Sequence, residues 1–329
     1  MMVSIIIPVY NRQSFLMEAL DSIAKQTHED WQLVVIDDGS TDQSVRLVVQ
    51  FEEEHKGKVK LLYSKTAQSG AAKCRNIGIN AADGDVILFL DSDDKLEPFC
   101  LEQRVRILTE NPLIDCAVFL QYAWMPDKGL PPTIFNKPSK DCEEASSYFF
   151  QMEPAWQTMA PIWKKYALDH LKGFDDSLMY MEDPDLHLRA LLDNKLHVSF
   201  FYDLPADNYY RIGNVTDSNM FYRLSIESRF AFLNKLLIYL KQVDHENNLL
   251  RYKRSIRKGF YSFLKVFLLY RIGSYKGEFS AIVKKLKAAD ILTGWDIYKL
   301  ALLRKVFLSN SKFFAVIRLR GIFYKLLLN

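Results

Sequence analysis

The first 125 residues alternate short β-branched apolar runs with stretches of helical periodicity, an order that leaves few folds open. The runs are residues Val3 to Val9, Gln32 to Ile36, Val59 to Tyr63, Val86 to Leu90 and Ala117 to Tyr122; between them residues 14–26, 43–54, 71–82 and 97–110 carry the spacing of helices with one buried face. Ser40 or Thr41 is the expected N-cap of the second helix. Strands linked by crossover helices pair in parallel, which gives an open, mostly parallel α/β sheet with helices on its faces. Ligands of such sheets lie beyond the carboxyl ends of the strands.

The residues at those ends are polar. The first run closes in Pro8-Val9-Tyr10-Asn11, the second in Asp37-Asp38-Gly39-Ser40-Thr41-Asp42 and the fourth in Asp91-Ser92-Asp93-Asp94. Carboxylates gathered at one edge raise each other's pKa unless a cation or donors hold them ionised, and a divalent metal is the economical explanation. Ser69-Gly70 opens a helix whose first turns carry Lys73 and Arg75, a layout suited to a phosphate. Farther on, Glu182-Asp183-Pro184-Asp185 leads into a helix over residues 186–193 and puts Asp183 at or near its N-cap. Taken singly, each feature has a plainer account: a turn at Asp37-Asp38, a solvated helix start at Asp91–Asp94, a sheet-edge cover at Tyr10, a cap at Asp183, with Glu182 as the working carboxylate instead. His187, Trp156 and Trp163 read as packing residues.

Charge divides the chain. Residues 221–329 hold 22 basic and 6 acidic residues, a balance of +16, whereas residues 1–220 hold 21 and 34, or −13. Cys74, Cys100, Cys116 and Cys142 lack metal or redox spacing and read as reduced thiols of a cytoplasmic protein. No uncharged apolar run reaches the roughly 18 residues of a membrane span, and the first eight residues lack the features of a signal peptide.

In order and spacing, PVYN, DDGSTD, SGAAKCRNIGI, GDVILFLDSDD, GFDDSL, MEDPDLHLR and YYRIGNVTDSN resemble the family-2 glycosyltransferases of the GT-A fold over about residues 3–220. The resemblance implies a metal-dependent inverting transfer of a sugar from a nucleotide donor, commonly a UDP-sugar, to a hydroxyl of a glycan or lipid-linked glycan in bacterial surface polysaccharide synthesis. It places Tyr10 and Asp38 at the nucleobase, with Pro8 shaping the wall and Asp37 nearby. Asp91-Ser92-Asp93 matches the DxD element, Asp93 binding Mg²⁺ or Mn²⁺ and Asp91 the donor's ribose or sugar; Ser92 lies between them. Arg75 matches the basic position near base and phosphates, Asp183 the general base, and Arg211 a diphosphate-facing arginine. Gly213 stands where many relatives have a histidine, so the metal would rest on Asp93 and the nucleotide.

The expected domains are 1–220, catalytic, and 221–329, basic and helical, with helices over residues 222–242, 249–270, 279–289 and 295–306. That second part is either a bundle with charge on its outer face or, through clusters such as Arg251-Tyr252-Lys253-Arg254 and the segment 312–328, a reader of the anionic inner face of the plasma membrane. A nucleic-acid partner is not expected, since no such motif is present. The competing functions are a non-catalytic sugar-nucleotide-binding subunit and a nucleotidyltransferase; the latter lacks its glycine-rich, lysine-bearing loop after the first strand.

Overall fold

A computed structural model describes residues 1–64, 68–213, 219–243, 245–268 and 271–308. The expected interfacial segment 312–328 and most of the polar stretch 213–219 lie outside the described residues. Two compact units emerge, residues 1–146 with 154–215, and residues 147–153 with 216–329.

As far as residue 215 the chain runs β1 (Val3–Val9), α1 (Leu16–Ala24), β2 (Trp31–Asp37), α2 (Ser44–Glu54), β3 (Val59–Tyr63), α3 (Ala71–Ala81), β4 (Val86–Phe89), β5 (Lys95–Leu96), α4 (Cys100–Glu110), β6 (Cys116–Phe119), β7 (Tyr122–Trp124), a 3₁₀ turn at Pro126–Lys128, β8 (Thr133–Ile134), α5 (Cys142–Phe150), β9 (Pro161–Lys164), α6 (Lys165–His170), α7 (Glu182–Leu192), β10 (Val198–Phe201) and β11 (Asn208–Arg211), all in the first unit but for the end of α5 from residue 147 on. Seven strands form one sheet in the order β10-β6-β9-β4-β1-β2-β3. All pairs are parallel except those of β9, which runs antiparallel to both β4 and β6. Both faces are covered, so the middles of the central strands are continuously apolar: Ile5, Ile6, Ile7, Leu33, Val34 and Val35 are all fully buried. Gly78 lets α3 lie close on the sheet, since a Cβ there would stand 2.4 Å from the Ile6 side chain.

Two expectations need correction. The run Ala117–Tyr122 is not one strand: it breaks after Phe119, and β7 joins a second sheet in the order β5-β11-β7-β8. Nor does Ser40 or Thr41 cap α2. The cap position falls on Gln43, while the Asp42 carboxylate takes the Ser44 N–H at 2.9 Å and Ser40 Oγ accepts the Asn11 N–H at 3.0 Å. The sheet-edge loops thus bind one another, and the helix starts where that leaves it.

The second unit contains α8 (Asn219–Gln242), α9 (His245–Phe263), a π-helical turn (Leu264–Leu268), α10 (Lys276–Ala288) and α11 (Gly294–Leu308). Its core joins Ile226, Leu233, Ile256, Phe260, Ile282 and Leu286. Thr293 and Asp296 bond reciprocally at the start of α11, a capping box that Tyr261 tightens at 2.8 Å. Part of the positive charge is matched internally, Lys253 by Asp290 and Arg257 by Asp296. Among the described residues no helix is long and apolar enough to cross a membrane.

Candidate active site

The carboxyl ends of β1, β2 and β4 lie side by side, because these strands are neighbours in parallel register. Asp37, the last residue of β2, turns back on its own loop and accepts the N–H groups of Gly39 and Ser40 at 3.1 Å. Asp38 reaches across to α3, its two oxygens taking the N–H groups of Ser69 at 2.8 Å and Gly70 at 2.9 Å. Gly70 is left-handed, φ +92°, and a Cβ on it would meet the Met179 sulfur at 3.1 Å. This clamp fixes where α3 begins and therefore where Arg75, in its second turn, must point.

Arg75 is buried and joins two distant parts of the chain. Its Nη2 donates to Asp91 Oδ1 at 2.7 Å and its Nη1 to Glu182 Oε1 at 3.1 Å, while the guanidinium carbon lies 5.3 Å from the Phe174 ring centre. Burial works against its charge, but Asp91 and Glu182 more than offset that and hold it protonated.

Asp183 follows Glu182 inside the first turn of α7; the cap is Met181, left-handed at φ +69°, two residues earlier than the sequence suggests. The Asp183 carboxyl accepts a bond from the Thr158 hydroxyl at 3.3 Å. Burial first and the Glu182 charge second push its pKa up to about 8, with Arg75 pulling the other way. His187, on the same helix, is buried beside Trp156 and Trp163, and burial drives its pKa down to about 3. It is a neutral packing residue, as expected.

On the loop after β4, burial and then the neighbouring Asp91 raise the Asp93 pKa, which Arg12 moderates. Asp94 is deeper still. Its Oδ1 accepts the Arg211 N–H at 2.6 Å, and burial, Asp91 and Asp93 drive its carboxyl well above the usual range. The Arg211 side chain donates to the Asp93 carbonyl at 2.7 Å, pairs with Glu18 and packs on Trp124 at 4.3 Å. In this structure it holds the acidic loop in place.

A cavity of about 460 Å³ opens between these elements, lined by Pro8, Tyr10, Asp38, Arg75, Asp91, Ser92, Asp93 and Tyr180. Tyr10 is partly exposed there, and its hydroxyl accepts a bond from the Gln68 amide at 2.7 Å. Of the expected site residues, Asp37, Asp183 and Arg211 do not line the cavity, although Asp183 lies within electrostatic reach of Arg75 and Asp91. Sequence reasoning missed Arg12, which also lines it and which no local pattern distinguishes from a surface arginine. Among the described residues Arg12 is in no ion pair, unlike Arg75 and Arg211.

No group of three His, Cys, Asp or Glu side chains is arranged to hold a metal among the described residues. Of the three carboxylates that line the cavity, Asp38 is engaged by backbone N–H groups and Asp91 by Arg75, whereas Asp93 is a hard oxygen donor whose pKa burial and Asp91 raise. That fits a cation such as Mg²⁺, which keeps its waters and takes further oxygens from substrate phosphates.

Residues 4–167 match the family model described as Glycosyl transferase family 2. An uncharacterized glycosyltransferase of Haemophilus influenzae is 40% identical over 113 residues, 34% of this chain and 44% of that protein. A poly(ribitol-phosphate) beta-glucosyltransferase of Bacillus spizizenii is 30% identical over 210 residues, 62% of this chain and 32% of its own. The match thus spans less than half the length of either relative. Among solved structures, Staphylococcus aureus TarS 1–349 in complex with UDP superposes with a TM-score of 0.70 at 20% identity, covering 93% of this chain and 86% of that one. The likeness shows the fold to be of the GT-A type.

Proposed function

Because the chain belongs, through residues 4–167, to the family-2 glycosyltransferases, we propose that it moves a sugar from a nucleotide donor, most simply a UDP-sugar, to a hydroxyl with inversion. The acceptor would be a glycan, a lipid-linked glycan or a polyol-phosphate chain of a bacterial surface polymer. The carrying observation is the linkage of three strand ends and α7 around one cavity: Asp38 and Asp93 line it, and Arg75 ties Asp91 on its wall to Glu182, next to Asp183. The chemistry is assigned to residues 1–220, and residues 221–329 are read as a separate basic helical domain that brings the enzyme to the cytoplasmic membrane face.

In this reading Tyr10 stacks on the nucleobase and Asp38 accepts a base N–H. Each oxygen of Asp38 already takes one backbone N–H and keeps a lone pair for another donor. Arg12 meets the diphosphate with a fork that no carboxylate occupies, and Asp91 turns its remaining oxygen to the donor sugar. Asp93 would hold the divalent metal together with the nucleotide; when bound, that ion supplies positive charge at the departing diphosphate. Asp183 takes the proton of the acceptor hydroxyl as that oxygen attacks. Its raised pKa makes it a stronger base than an ordinary aspartate, and Glu182, bound to Arg75, is the less available of the two. A single such base on one face of the sugar gives one displacement and inversion.

Thermal denaturation with UDP-glucose, UDP-N-acetylglucosamine and other nucleotide sugars, with and without Mn²⁺, tests the proposal. A donor at about a hundred times its dissociation constant adds about 2.7 kcal/mol to the folded state. Stabilisation that needs both nucleotide and metal and is lost in Asp93→Ala supports the reading. No shift with any donor overturns it.

A further inference from the structure

The second unit contains a cation that its surroundings do not balance. Arg229, on α8, lies with its guanidinium carbon 3.8 Å from the ring centre of Phe267, on the π-helical turn. Arg271, beyond that turn, lies 3.9 Å from the ring centre of Tyr222 at the start of α8. The two rings are themselves neighbours, 6.4 Å apart. Apart from these stacks, the one hydrogen bond of the Arg229 guanidinium among the described residues goes to the Ser225 carbonyl at 3.0 Å. Burial lowers its pKa to about 10, and among the described residues it forms no ion pair with a carboxylate.

Its neighbours are treated differently. Arg223 pairs with Glu227 at 3.9 Å and Arg257 with Asp296 at 3.5 Å. Cations withdrawn from water are ordinarily paired, and leaving one unpaired costs stability. A guanidinium lying over a ring still has N–H edges, and those edges match two oxygens of a phosphate. All four side chains are half-buried rather than enclosed. Arg271 supplies a second such edge on the adjoining ring, in a region whose sequence balance is +16.

We propose that Arg229 and Arg271, carried on the paired rings of Phe267 and Tyr222, form a binding site for a phosphate group. The phosphate belongs either to a small or polymeric phosphate ester or to a lipid headgroup. The site does not depend on the assignment of the donor cavity, and its failure would leave that assignment untouched.

The full-length chain is titrated with inorganic phosphate and glycerol 1-phosphate by calorimetry, in saturating UDP. Separately, it is floated with phosphatidylcholine vesicles with and without phosphatidylglycerol. Arg229→Gln and Arg271→Gln are measured singly, and Arg223→Gln, which removes the same charge from an already paired arginine, serves as the control. Circular-dichroism melts establish that each variant is folded. Loss of one fork weakens binding about tenfold, the equivalent of about 1.4 kcal/mol, in Arg229→Gln and Arg271→Gln and leaves Arg223→Gln unchanged. A response in the vesicle arm alone assigns the phosphate to lipid, and one in the soluble arm alone to a phosphate ester. Silence in both arms, or equal weakening by Arg223→Gln, overturns the site.

Discussion

Two arginines, one enclosed in the first unit and one half-buried in the second, meet opposite circumstances. Arg104, on α4, is fully enclosed, and Asp207 grips it at both ends, Nε to Oδ2 at 2.8 Å and Nη2 to Oδ1 at 2.7 Å, while Met159 supplies a carbonyl to its third nitrogen. Arg229 in the helical unit lies over the Phe267 ring and, among the described residues, pairs with no acid. The first unit neutralises both enclosed arginines with carboxylates brought in by the fold, Arg104 with Asp207 from 103 residues away and Arg75 with Asp91 and Glu182 from 16 and 107 residues away. The difference separates charges used to hold a fold from charges held ready for something outside it.

The test with the largest expected effect lies on the acidic side of that contrast. Asp183→Asn keeps the shape but removes the base, so transfer should fall about 10²–10⁴-fold while nucleotide affinity stays within twofold or so; single-turnover kinetics with calorimetry for the donor would measure both. Normal turnover would show that Glu182 or another group takes the proton. Next comes Arg104→Ala, which leaves the Asp207 carboxylate enclosed without its counter-charge, held only by the amides of Gln103 and Asn208, and should cost about 3–5 kcal/mol in urea unfolding. If it cost no more than a surface pair, the rule of internal neutralisation would fail.

The raised pKa of Asp183 gives a third test. Below about 8 its carboxyl is protonated and cannot act as a base, so transfer should rise about tenfold per pH unit toward a plateau above that value. Stability moves oppositely. The unfolded chain loses this proton near 3.8, so its contribution to folding is full below that pH and disappears as pH climbs through about 8. Asp183→Asn should flatten both profiles. The smallest effect belongs to Arg229→Ala, which gives up a ring contact but no ion pair and should change unfolding stability by about 1 kcal/mol or less. A loss as large as that of Arg104→Ala would erase the contrast between the units.

Much of the sheet was legible because its strands are nearly continuous apolar runs: β1 and β3 were read with their observed bounds, and β2 and β4 within one residue at each altered end. β9 was not, since four residues beginning with proline and inserted antiparallel between β4 and β6 carry no periodicity of their own. The acidic strand ends were visible as a group, and the structure gathers Pro8, Tyr10, Asp38, Arg75, Asp91, Ser92 and Asp93 on one cavity. What could not be read was which of these charges already satisfy one another. Arg75 with Glu182, and Arg104 with Asp207, are pairs made by the topology across 107 and 103 residues, and no local spacing announces them. Arg12 escaped notice for the converse reason: among the described residues it has no such ion-pair partner.

Met181 closes the account of α7. A methionine held at φ +69° costs about 1 kcal/mol or more, and the turn it makes sets the residue on which the helix begins. Each residue of an α-helix is turned about 100° from the last. Start the spiral one step sooner or later, and each acid swings by that angle: that Glu182 rather than Asp183 greets the guanidinium follows from this single twist of backbone.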